Sequence, residues 1–429
     1  MIITHFFPIL FFLYTRNIIT KKINKIKFGF IALYFILILV IERFYYDKLF
    51  NKSLEIIPHF QETNKKYDLL WRFITFFGTK PGIGPIYCIL FFFIPLNKVF
   101  TLTFLLLFTG YVDHTLKVVY RQERPIWMND EIDIGVQHAC GYGNPSGHSL
   151  SSTCLYLSLW YTLREINKDF ISNKFLCKIL NFLNLLIIIT TFGLIMSSRL
   201  YLGVHSLNQI IFGCTLGFGI FLLFLPILKI HYTEDEFLDK QYSYRYFHFI
   251  FIIICTIFFY FIYFLRDDIP GVQEKENWKK MCYDQKWSKL LIKGSFFGGM
   301  AIFIICGMIF GLLYSKKHID KEFNSKDEIL IKWQKGTFKS RLMRLFLLLL
   351  GSIPVGIIFL FNKILKNSEV FFYVLTPILF FIGGFLSFGP CFIYGFKLSL
   401  KIFGKSEIIS LPDEEKDNFN NNNYIQCSN

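Results

Sequence analysis

Residues 99–125 read VFTLTFLLLFTGYVDHTLKVVYRQERP. The run 99–118 has about the twenty residues a helix needs to cross ~30 Å of hydrocarbon. It ends among Lys117, Arg124 and the helix-breaking Pro125. An apolar segment with cations gathered at one mouth is a membrane helix that delivers positive charge to one rim of the bilayer.

Comparable runs lie at 29–41, 86–95, 150–162, 176–196, 207–230, 247–265, 290–314, 345–361 and 370–398, of which 86–95 is the shortest. The chain is 53% hydrophobic with 54 Phe, and its mean hydropathy is +0.44, far from a soluble average. These features predict an all-α, polytopic membrane bundle of roughly ten spans. The first fourteen residues are also apolar, but no basic stretch precedes them and no small-residue cleavage site precedes Arg16, so no signal peptide is expected. The tail after Lys405, with its Asn420 to Asn423 run, has the composition of a solvated, disordered end.

The formal net charge is +15. Its Lys and Arg sit in short loops between spans, where orientation determinants lie, and no nucleic-acid partner is expected. Loops 16–27, 97–98, 164–178, 229–246 and 316–344, with the tail, carry the larger basic share and are read as cytosolic. Segments 117–149, 197–206 and 266–288 then face a lumen or the exterior. The triplet Asn51-Lys52-Ser53 falls on that side as an N-glycosylation acceptor. Most Cys lie inside spans, whereas Cys140 and Cys282 fall in loops on the lumenal side, where spacing alone assigns them no partner.

Three segments on that side carry the chemistry. Lys117 and Arg124 are seven apart, so on a continuing helix they share one face about 10 Å apart along the axis. Asp113, one turn earlier, is placed to pair with Lys117. Pro145-Ser146-Gly147-His148 precedes the next span, with Ser146 as helix N-cap and Gly147 allowing close backbone approach, and the free amides of such a first turn bind anions. Arg199 ends one span and His205 begins another. Arg199 offers a planar fork for phosphate oxygens, and a buried His205 beside three cations stays neutral and nucleophilic. Two antiparallel hairpins deliver all these groups to one face. The chemistry that uses them is phosphoryl transfer to His205 and then to water, with His148 as acid and then base. No carboxylate or Cys cluster with ligand spacing accompanies them, so neither a metal nor another cofactor is implied.

The spaced segments resemble the signature of the type 2 phosphatidic acid phosphatase superfamily, which includes vanadium haloperoxidases. The resemblance implies that Lys117, Arg124, Ser146, Gly147 and Arg199 hold phosphate, that His148 is the acid, and that His205 is the nucleophile. Many members carry Asp four residues after the nucleophile, where Gln209 stands here. A Gln can accept the ring N–H but brings no charge. The glucose-6-phosphatase branch is similar in carrying Gln there, in Trp127 after Arg124-Pro125, in Arg199-Leu200-Tyr201-Leu202, and in a Trp278/Cys282 loop before a Gly/Phe-rich span. The likeness runs from about Leu54 to Phe403 and leaves the span 29–41 without a counterpart.

The expected organisation is therefore an N-terminal cytosolic stretch and extra helix (1–53), a phosphatase core (54–230), C-terminal transmembrane helices (231–403) and a disordered cytosolic tail (404–429). The resemblance implies a multi-pass protein of the endoplasmic reticulum with a lumenal site, a phosphorylated small-molecule substrate, glucose 6-phosphate foremost, the lipid bilayer as its medium, and functional coupling to a sugar-phosphate transporter. A lipid phosphate phosphatase uses the same pocket with an opening to the leaflet. A non-catalytic phosphate-binding protein is disfavoured because both histidines are present.

Overall fold

The computed structural model describes residues 25–79, 82–83, 94, 96–133, 139–228, 245–264, 278, 298–323 and 371–403, with isolated positions between 342 and 357. All regular structure among these residues is helical. In chain order the helices are α1 (Lys25–Asn64), α2 (Asp68–Phe76), α3 (Leu96–Tyr120), α4 (Pro125–Met128), α5 (Gly147–Phe170), α6 (Lys174–Tyr201), α7 (Leu207–Leu228), α8 (Arg245–Phe264), α9 (Ala301–Phe323), α10 (Thr376–Phe388) and α11 (Pro390–Phe403). A 3-10 turn, Lys65–Tyr67, joins α1 to α2.

The chain forms two compact units, one built from residues 1–87, 100–231 and 246–306, the other from 88–99, 232–245 and 307–429. Four described segments are long and apolar enough to cross a bilayer: Gly29–Phe76, Lys98–Met128, Lys174–Tyr201 and Leu207–Pro226. Shorter apolar helices run Ile253–Phe264, Ala301–Ser315 and Tyr373–Phe388. The expected spans at 86–95 and 345–361 lie outside the described residues but for a few positions, as do the signal-peptide reading, most of the Trp278/Cys282 loop and the C-terminal tail.

In the first unit the spans differ in what they touch. The apolar window is 67% buried in Lys98–Met128 and 61% buried in Leu207–Pro226, against 11% in Lys174–Tyr201. Helices α3 and α7 are therefore central, while α6 turns Phe175, Phe182, Leu186 and Ile187 outward, an apolar face suited to lipid.

Helix α5 occupies the expected span 150–162 but is not among the apolar candidates, because it buries Ser149, Ser152, Thr153, Ser158 and Thr162 against its neighbours. Small side chains let backbones approach closely, which is the dominant mode of helix association in lipid. The facing surface of α7 carries Gly213 and Gly217, one turn apart. A Cβ on Gly213 would lie 2.7 Å from the Ser146 carbonyl oxygen, and one on Gly217 would overlap the Leu150 carbonyl. This contact brings the start of α7 against the start of α5, where the histidine segments lie.

Helix α1 has 40 residues, about 60 Å of helix, roughly twice the hydrocarbon thickness. Its first half packs on α7 through Tyr34, whose hydroxyl donates to Thr215 O at 2.8 Å. Its charged second half continues past the apolar stretch, and this corrects the reading of 51–53 as a glycosylation loop. Those residues are helical, Ser53 is fully buried, and its hydroxyl donates to Leu49 O.

In the second unit the later part of α9 packs on α10. Rings pair as Phe310 with Phe381 and Tyr314 with Phe385, and the Ser315 hydroxyl donates to Phe388 O at 2.7 Å.

Candidate active site

The three signature segments meet at one end of the first unit. Helix α3 ends at Tyr120, earlier than the continuing helix expected through Arg124. Arg121 takes a left-handed φ of 46°, and Arg124, which precedes Pro125, is extended at φ −98°, ψ 147°, as sterics before a proline require. Lys117 and Arg124 thus do not share a helix face. Arg124 instead turns back and is anchored by three carbonyls, donating to Gly141 O, to Tyr142 O at 3.1 Å and to Val204 O at 2.7 Å.

Lys117, buried in the last turn of α3, donates to Asp113 at 2.8 Å. Asp113 in turn lies against the start of α5, where a Cβ on Gly147 would fall 2.5 Å from its carboxylate. Only glycine admits the carboxylate so close to the turn.

Ser146 caps α5. Its Oγ accepts from the Ser149 hydroxyl at 3.0 Å and, at a longer 3.4 Å, from the Ser149 amide. Its own amide donates to Gln209 O at 3.0 Å, which ties this turn to α7. His148 follows in the first turn of the helix, half-buried, with its Nε2 enclosed and making no hydrogen bond among the described residues. Arg199, buried in the last turn of α6, donates from one terminal nitrogen to the Thr75 hydroxyl at 2.8 Å. Its Nε is likewise enclosed without a partner among the described residues.

His205 sits just before α7, fully buried between two partners. Gln209 Nε2 donates to Glu123 O at 2.8 Å. That fixes the amide with Oε1 facing the Ser206 amide (3.3 Å) and His205 Nδ1 (3.1 Å). Since Oε1 only accepts, the ring proton belongs on Nδ1 and the lone pair on Nε2. Nε2 stands 3.2 Å from the Arg124 guanidinium. Burial first, then the charges of Arg124, Arg199 and Lys117, then the His148 ring, hold the His205 imidazole well below its ordinary pKa. Arg124, bonded to Val204 O and beside His205 Nε2, and the Ser146 amide, bonded to Gln209 O, bring the three signature segments together around this ring.

Some contributors lay beyond the sequence reading. Thr75 receives Arg199. Gly78 backs the His148 ring so closely that a Cβ there would lie 2.7 Å from Cδ2. Asn144 donates to Glu42 at 2.9 Å, both fully buried. Cys140 is disulfide-bonded, while Cys282 lies outside the described residues.

The arrangement concentrates three cations, free N–H groups of a helix start, and two imidazoles, one with a directed lone pair. An arrangement of this kind has the charge and donors to receive a tetrahedral oxyanion.

Residues 98–232 match the family model of the PAP2 superfamily. This supports the type 2 phosphatidic acid phosphatase superfamily, whose members are phosphatases or phosphoesterases acting on phosphate esters. No curated protein matches the chain, and no solved structure matches it.

Proposed function

We propose that the chain is a membrane phosphatase that hydrolyses a phosphomonoester through a phosphohistidine on His205, with glucose 6-phosphate as the foremost substrate. The observation that carries this reading is the Gln209-fixed tautomer of His205, which leaves Nε2 unprotonated and facing the Arg124 guanidinium in the crevice, with Arg199, Lys117 and His148 close by.

The ester phosphate settles among the three cations and the amides of the turn at Ser146. The His205 lone pair attacks phosphorus in line, and the bond to the ester oxygen breaks as His148, protonated beside the dianionic phosphate, gives its proton to the leaving alcohol. Arg124 and Arg199 hold the equatorial oxygens of the five-coordinate phosphorus, a contribution of about 3 kcal/mol per donor in a water-poor site. Water then attacks the phosphohistidine, neutral His148 takes its proton, and the nitrogen–phosphorus bond breaks. Gln209 accepts the hydrogen bond from Nδ1–H throughout and so stabilises the ring as charge develops on it.

The sugar-phosphate reading is supported by Gln209 and by the C-terminal likeness. The lumenal reading is supported by loop charge and by the disulfide at Cys140, since disulfides persist on the oxidising side of a membrane. The endoplasmic reticulum, a bundle of about ten spans and coupling to a sugar-phosphate transporter belong to the same proposal.

The test is phosphate release by the detergent-purified chain from glucose 6-phosphate, phosphatidate and a sphingoid phosphate. Release from glucose 6-phosphate should dominate, and His205→Ala should lower every rate by at least about 10³-fold. Release from the lipids alone would overturn the substrate, and full activity of His205→Ala would overturn the mechanism.

A further inference from the structure

Helix α1 reaches the loops of all three signature segments. Beyond Arg124-Pro125, the Leu54 carbonyl accepts from Asn129 Nδ2 at 3.0 Å, and Gln61 exchanges two hydrogen bonds with the Asp133 backbone at 2.9 and 3.2 Å. After His205, the first amide of α7, Leu207 N, donates to the Ser53 hydroxyl at 2.9 Å. Before His148, Asn144 Nδ2 donates to Glu42 Oε1.

The last of these contacts is the costly one. Glu42 is fully enclosed, forms none of the described salt bridges, and leaves Oε2 without a hydrogen bond among the described residues. An enclosed carboxyl held by one amide is poor structural material, for an apolar residue of similar size fills the space at lower cost. An ionisable group within a membrane helix calls for a functional role. Its partner stands directly before Pro145-Ser146-Gly147-His148, the turn that sets the His148 ring and the phosphate-facing amides.

We propose that α1 is a positioning element of the site, in which Glu42, through Asn144, holds the turn that aims His148 at the leaving group. Glu42 touches neither substrate nor reacting atoms in this scheme and acts through the placement of the acid. The proposal rests on the phosphatase reading, and its signature differs from that of a stabilising contact. A misaimed general acid slows expulsion of a poor leaving group far more than of a good one. A loss of folded protein slows both alike.

The measurement is kcat/KM of the full-length chain in detergent, for the best alkyl phosphate of the panel and for p-nitrophenyl phosphate, whose leaving group departs with little help. Glu42→Ala should lower the alkyl value at least tenfold more than the aryl value. Glu42→Gln, which keeps an acceptor at the Oε1 position, should restore most of the ratio. Where Glu42→Ala does not accumulate, Glu42→Asp, one methylene short of Asn144, should show the same selective loss. Equal losses on both substrates, or no loss on either, would overturn the proposal. Absence of hydrolysis by the unmodified chain on both substrates would instead remove the phosphatase reading, and the proposal with it.

Discussion

At the scale of single residues, the state of His205 has a direct kinetic consequence. Burial and the three cations hold its imidazole well below the ordinary range, so in the proposed mechanism the unliganded chain keeps its nucleophile neutral as pH falls through about 6.5, where an unperturbed histidine protonates. The unfolded chain does take up that proton, so this group leaves stability intact above about pH 6.5 and erodes it below. Activity and stability should therefore part company on the acid side. Once corrected for the ester's own ionisation near pH 6, kcat/KM should show no acid-side limb from His205 near 6.5, while the thermal midpoint declines over the same interval. An acid limb of kcat/KM near 6.5 in the unmodified chain would contradict the depressed state. Most of the site was legible from residue type and spacing, because helix ends with fixed separations declare themselves in sequence. Thr75, Gly78 and Glu42 were not, since each contributes by a long-range contact that no local pattern encodes. Gln209 could have been read further: Ser206-Leu207-Asn208-Gln209 has capping-box spacing, and Gln209 Oε1 does accept from the Ser206 amide while also receiving His205.

At the scale of elements, helices were legible where apolar runs are long, and the run 150–162 marked α5 even though that helix buries polar side chains. Helix α5 has low hydropathy because it packs through serines and threonines, Ser149 and Thr153 buried against α7 and Ser151 beside Thr109 of α3, so an apolar scan undervalues the helix that carries His148. The end of α3 was misplaced for a related reason. Pro125 marks the outer limit of a helix, but the left-handed Arg121 stops it four residues sooner. What seats α5 on α7 is the glycine face, and it can be tested by contrast with a glycine that faces nothing. Gly217→Ala drives a Cβ into the Leu150 carbonyl, whereas Gly193→Ala in α6 meets nothing within 4 Å. The first should cost about 1–3 kcal/mol by overpacking and lower turnover as the two histidine segments move apart. The second should be neutral or stabilising by up to about 1 kcal/mol through helix propensity. Thermal midpoints in detergent and phosphate-release rates for the pair report both effects. Equal behaviour of the two variants would mean that the close α5–α7 approach does not hold the site.

At the scale of the whole molecule, the proposed orientation makes a prediction about access. In the proposed orientation loop charge puts the histidine segments away from the cytosol, and the disulfide at Cys140, sixteen or fewer residues from both Arg124-Pro125 and Ser146-Gly147-His148, fits the same oxidising side. In sealed, cytosol-side-out vesicles a membrane-impermeant phosphate ester would then be separated from the crevice by the bilayer. Hydrolysis should be largely latent, rising severalfold when detergent or a pore-former opens the vesicles, while a permeant ester should show no such step. A sugar-phosphate transporter in the same membrane would abolish latency for its own cargo alone, so the comparison also reports the proposed coupling. Full activity toward an impermeant ester in vesicles shown to be sealed would turn the protein over. It would place His205 on the cytosolic rim and require the basic loops at 16–27 and 316–344 to face outward, against the charge rule on which the orientation rests.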